Sequence, residues 1–283
     1  MTNNDRAGKK IRIGGMAMEN GVLFQTPRFW SMAIRNEDGS INVSSGEKKG
    51  LARSDILKKV PLLRGLASLT DAVTILPDAH AHGGQLPALF RSPLLMASLS
   101  VSALGTMALK NSKKSLPPLL EETAMAMLAM LPSLVALRRS RAIQYHAAEH
   151  KSINAYEKSG SLDEQTALKA RSEHVRCGSN IIGPALALMT VGNAIARRFL
   201  GRQSQAARLG VGILSFSGAM EMIHWAGRNP GNVWAKLLTS AGGGLQSFIT
   251  TREPTEDQLE VGLAALRELL KKEGLEASGP VQG

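Results

Sequence analysis

The chain has 283 residues, a formal net charge of +11 and one cysteine. That length suffices for a buried core in one large domain or two small ones, and a single thiol excludes an intrachain disulfide scaffold. Three Trp, two Tyr and six Phe are too few for a base-stacking platform, so the basic excess does not read as a nucleic-acid interface.

Residues 1–10 (MTNNDRAGKK) are polar and read as a disordered tail. No apolar stretch follows them, so no cleavable signal peptide is expected. Residues 11–50 read as β-rich. Two short runs in FWSMAIRNEDGSINV flank Asp38-Gly39, a hairpin turn signal, and the paired Gly14-Gly15 suit a tight backbone bend.

Helical patterns occupy 51–250. Segments 92–109, 123–137 and 177–196 carry no charge, and 209–227 is interrupted by Glu221 and His224. A spanning helix needs about 20 mainly apolar residues. Of these segments only 92–109 and 177–196 come close to that length, and mean hydropathy over the whole chain is only −0.05. Their Ala, Gly, Ser and Met content suits close packing between membrane helices. Cations flank them in KKVPLLR (58–64), KNSKK (110–114), RRSR (138–141) and RRFLGR (197–202), as at membrane interfaces. The expectation is a mainly α, membrane-associated helical bundle with a small N-terminal β-rich segment. The competing reading is a soluble domain that buries these helices.

Residues 251–274 predict an amphipathic helix. Thr255 and Gln258 form a capping box, Leu259, Leu263, Leu266 and Leu270 recur at helical spacing, and Lys271 and Lys272 precede Gly274 as a stop. Residues 275–283 read as a loose tail. With four spans, both termini and the loop at 138–178 share one side. That side holds most of the Lys and Arg, which makes it cytoplasmic in a cell-membrane protein. Membrane lipid is then the expected partner, with other membrane proteins as a second class.

The chemistry concentrates in QYHAAEHKSINAYE and SEHVRCGSN. His146 and His150 lie one helical turn apart, so both rings face one way, with Glu149 beside them. Two histidines so placed can ligate one ion, while the glutamate can act as general base on a water; H-x-x-E-H is the inverted zincin order. His174 and Cys177, spaced H-x-x-C, add imidazole and thiolate, the usual ligands of zinc or another divalent transition metal. The ligand set stays open. His146, His150, His174 and Cys177 could close a four-ligand site, or three ligands could leave a position free. Glu221, costly in an apolar helix unless partnered, is a candidate third ligand, a partner to a histidine, or an ion-pair partner for Arg228. Glu157 shares the helical face but lies about 10 Å along the axis from His150, too far to join the same ion. His80 and His82 read equally as ligands or as a polar loop, and Glu19 as a site residue or a solvated one. The glycines at 242–244 lack the lysine of a phosphate loop.

In order along residues 11–272, IGGMAMENGVLFQTPRFWSMAIRNEDG, LLRGLASL, YHAAEHKSINAYE, HVRCGSN, MEMIHWAGR and ITTREPTEDQLEVGLAALREL resemble the YqhQ-like bacterial membrane family. That family is one of unknown function, described as predicted metal-dependent enzymes. The resemblance implies an integral membrane protein and a metal. The functional expectation is a membrane-associated, zinc-type hydrolase of unread substrate, with Glu149 as catalytic base and ligands drawn from His146, His150, His174, Cys177 and Glu221. The alternative is a non-catalytic scaffold or assembly factor with a structural metal or polar cluster.

Overall fold

The structure, a computed structural model, describes residues 11, 13–48, 60–63, 67, 70, 73–85, 93–111, 116–174, 177–200, 204–229, 231–245 and 251–275. The expected tail at 1–10, and all of the expected C-terminal tail except Leu275, lie outside these residues.

Four strands form an antiparallel meander in chain order: β1 (Gly14–Ala17), β2 (Gly21–Gln25), β3 (Phe29–Arg35) and β4 (Ile41–Glu47). The β3–β4 hairpin turns at Asp38-Gly39 as the dipeptide predicts. Gly39 takes φ +85° and the Asp38 carboxylate accepts the Ser40 amide at 2.9 Å. Gly14 and Gly15 correct the sequence reading: they begin β1 and pair with Gln25 and Phe24, so neither makes a bend, and Gly15 serves close approach instead.

β2 and β3 are buried on both faces, which explains their near-continuous apolar runs. One face covers Leu23 and Met32 with Ile75 and Ala79; Ala79 belongs to the short helix α1 (Leu76–Ala81). The other face packs Val22, Phe24 and Ala33 against two helices, α4 (Ala142–Ser159) and α9 (Glu256–Glu273). The α9 capping box forms as predicted, its four stripe leucines are 0–2 % exposed, and Gly274 closes it at φ +72°. Burying each of those leucines contributes about 1.5–3 kcal/mol. Leu275, expected in the loose tail, instead donates its amide to Leu270 and packs on this core.

Between sheet and α9 the chain builds α2 (Pro93–Asn111), α3 (Pro118–Arg139), α5 (Glu164–Lys169), a 3-10 turn (Gly178–Ile181), α6 (Ile182–Leu200), α7 (Gln205–Arg228) and α8 (Val233–Leu245). The glycines at 242–244 are thus helical. Four of these elements hold stretches long and apolar enough to cross a membrane: Pro93–Asn111, Pro118–Ala136, Gly178–Phe199 and Gln205–Arg228. At most 17 % of any of these windows is buried, and Leu104, Met127, Phe199 and Leu209 are 66–81 % exposed. Helices forming the core of a soluble domain would be covered. Exposure on this scale is instead consistent with membrane association.

The bundle packs in the order α2, α3, α6, α7. Small residues admit close contacts: a Cβ on Gly105 would meet Leu128 at 2.9 Å, and one on Gly192 would meet Val211 at 2.9 Å. At the end of the bundle remote from α4, Glu121 pairs with Arg197 at 2.7 Å and the buried Glu122 lies 3.7 Å from Arg208. Part of the cationic charge there is therefore neutralised within the bundle.

Candidate metal centre

Only Ser140 and Arg141 separate α3 from α4. The Ser140 hydroxyl accepts the Ala142 amide at 2.9 Å, and the Glu19 carboxylate accepts the Arg141 amide at 2.8 Å. Glu19 thereby occupies the positive end of α4, a position that favours a carboxylate. Gly160, at φ +71°, stops the helix. Gly262 of α9 brings the two helices together, since a Cβ there would meet the Ser152 hydroxyl at 2.7 Å. These contacts fix the helix that carries the site.

On α4 the rings of His146 and His150 lie 4.3 Å apart, centre to centre. The His146 Nε2 is 3.1 Å from the Cys177 Sγ. One donor atom from each of His146, His150 and Cys177 falls within 4.8 Å of the others. The His150 Nδ1 is 2.5 Å from the Ser172 carbonyl oxygen. A carbonyl can only accept, so Nδ1 carries a proton, and in the neutral ring Nε2 presents its lone pair. That Nε2 is buried without a hydrogen-bond partner among the described residues, an arrangement costly to fold and suited to a ligand.

Cys177 is half-buried and caps the 3-10 turn. Its sulfur receives the Ser179 amide at 3.4 Å and lies 3.0 Å from the Ser179 hydroxyl. These contacts hold the sulfur in place beside the His146 ring. Two imidazole nitrogens and a sulfur, one nitrogen orphaned and buried, fit a divalent transition ion.

Glu149 is 6 % exposed, and its carboxylate lies against β1 where a Cβ on Gly15 would stand. Burial pushes its carboxyl up from the ordinary range, while His146 and His174 pull it back. His174 stands behind the three converging residues. Its ring is 5.7 Å from that of His150, and its Nε2 is 3.7 Å from Glu157. Glu157 therefore reaches a histidine, although not from the ligand position that helix geometry ruled out. Glu221 is not among the converging donors; its carboxylate accepts the Leu62 amide at 3.1 Å. His82 sits edge-on to Trp30 at 5.4 Å, on the α1 side of the sheet, and His80 is in the last turn of α1 itself.

Sequence reasoning did not find Ser172, Ser179, Gly15 or the His174–Glu157 pair. Ser179 had a signal, since the residue two positions after a turn-opening cysteine can donate its amide to the sulfur. Ser172 contributes a carbonyl, which any residue carries, so its identity held no clue.

A family model described as "Protein of unknown function (DUF1385)" matches residues 92–272, which take in the four long apolar helices, the candidate metal centre and all but the last residue of α9. The chain is also 27 % identical over 303 aligned positions to "Uncharacterized protein YqhQ" of Bacillus subtilis (strain 168), with 93 % of each chain covered. No solved structure matches. Neither description states a metal or an activity, so the metal-dependent chemistry implied by the resemblance rests on the site alone. With well over half its length matched, the chain belongs to the DUF1385 family of proteins of unknown function.

Proposed function

We propose that the protein is a membrane-associated metal-dependent hydrolase, its centre formed by His146, His150 and Cys177. The carrying observation is the buried, unpartnered Nε2 of His150, aimed by the Ser172 carbonyl toward the other two donors. A zinc-type divalent ion bound there would supply Lewis acidity. His150 offers Nε2 with its tautomer fixed, and His146 offers Nε2 beside the sulfur. The Ser179 amide holds the sulfur of Cys177 in place. Glu149, on the same turn of α4, is the general base that takes a proton from water. Its contact with Gly15 holds the carboxylate in place. Three converging donors support the reading that leaves a position free; His174, oriented by Glu157, stands beside it. With the four long helices in the bilayer, the centre lies at its cytoplasmic face.

Elemental mass spectrometry on detergent-extracted wild type, His150→Ala and Glu149→Gln tests this. The expected result is near one transition-metal ion per chain in wild type and Glu149→Gln, and its loss in His150→Ala. No metal in any sample, after controls for stripping, would sink the proposal.

A further inference from the structure

An open cavity of about 1470 Å³ lies between α4, α5, the loop at 170–174 and α8. Lys158, Lys169, Arg171 and Lys236 line it, against the carboxylates of Glu157 and Glu173, for a net 4 − 2 = +2. Glu157 is engaged with His174, and none of the four cations forms an ion pair with a described residue. The inner wall is His174, one ring behind His150. The cavity therefore ends at the edge of the metal centre and presents positive charge there.

Helix α8 indicates where its occupant comes from. It follows the spanning-length α7 after a four-residue connection. Val233, Trp234 and Leu237 are 57–75 % exposed on one side of α8, while Lys236 and Thr239 line the cavity from the other. An apolar stripe bearing Trp, opposed by a polar face that carries Lys236, is the pattern of a helix lying in a bilayer interface. One wall of the cavity thus lies at lipid headgroup level, and the volume admits a headgroup with part of its glycerol.

We infer that this cavity binds the anionic phosphate headgroup of a membrane lipid, held by Lys158, Lys169, Arg171 and Lys236 at the edge of the metal centre. As a statement of substrate class it rests on the hydrolase reading; as a binding site it stands without the metal. Arginine and lysine recognise phosphate through charge-assisted hydrogen bonds.

The test is calorimetric binding to the full chain in neutral detergent, both chelator-treated and zinc-loaded. The probes are dihexanoyl phosphatidic acid, dihexanoyl phosphatidylcholine and glycerol 3-phosphate. Phosphatidic acid is expected to bind the chelated protein about tenfold or more tighter than either other probe. The double substitution Lys169→Ala/Arg171→Ala is expected to weaken it about tenfold or more, whereas Lys271→Ala/Lys272→Ala on α9 leaves it unchanged. All three proteins should share one melting temperature. Equal affinity for phosphatidylcholine, or no loss in the cavity variant, overturns the inference. Equal affinity for glycerol 3-phosphate assigns the cavity to a soluble phosphate and overturns the lipid source. Failure of the wild type to hold zinc, with lipid binding intact, sinks the metal centre and leaves the cavity standing.

Discussion

The carboxylate of Glu149 fills the space in which a side chain on Gly15 would begin. The two residues lie on different elements, and the glycine is what lets α4 bring its acid against β1. Glu149 is buried, so Gly15→Ala forces its side chain, the helix or the strand to shift. The expected cost is about 1–3 kcal/mol, typical of overpacking. Gly14→Ala is the control: its Cβ would meet only Gln25, at 3.7 Å, and thermal unfolding should change by no more than about 0.5 kcal/mol.

Zinc should stabilise the folded chain through the three converging donors. At a free concentration 100 times the dissociation constant, linkage gives about 2.7 kcal/mol, visible as a rise in melting temperature. Cys177→Ser, which removes the soft donor, should show little or none of it. An equal rise in both proteins would place zinc elsewhere.

Asp163 caps α5, accepting the Thr166 amide at 2.8 Å and the Ser161 hydroxyl at 2.6 Å. The Ser161 bond leads in lowering its pKa from the ordinary 3.8 to about 2. A depressed acid stabilises the fold fully above its ordinary value, and that contribution is lost as pH falls through about 2. Hydrogen exchange across 161–170 should quicken over that window in the wild type. Asp163→Ala should exchange faster at neutral pH, by the equivalent of about 0.5–2 kcal/mol, and lose the acid dependence.

Asn111, at the end of α2, and Glu164, at the start of α5, are both exposed and lie toward opposite ends of the bundle. In a Cys177→Ser background, Asn111→Cys and Glu164→Cys should react with a membrane-impermeant thiol reagent from opposite faces. Glu164→Cys should react only after the cytoplasmic face is opened. Labelling of both from one face would contradict a membrane-crossing α2.

What was legible in the sequence was local. The α9 capping box, its leucine stripe and Gly274 are set by neighbours within one or two turns, so their spacing sufficed. The shared face of His146 and His150 follows from helix geometry for the same reason, and the H-x-x-C spacing announced Cys177. Contacts between distant segments were not legible. Gly14-Gly15 carried a turn-like composition because a glycine needed for close approach is spelled the same as one needed for a bend. Ser172 acts through its backbone, and His174 meets Glu157 only because the chain doubles back through α5. Glu221 shows the same limit: its partner is the amide of Leu62, a residue held at φ +67°, and no periodicity points to a backbone group.

The three converging donors come from two chain segments joined to different long apolar helices. His146 and His150 belong to the helix that continues α3 after a two-residue joint, whereas Cys177 immediately precedes the turn that opens α6. An ion shared among them would act as a rivet between the feet of α3 and α6. Any tilt of one helix against the other changes the distance from nitrogen to sulfur, so whatever alters bundle packing would alter the affinity for such an ion. By reciprocity, an ion bound there would bias the angle between the two helices.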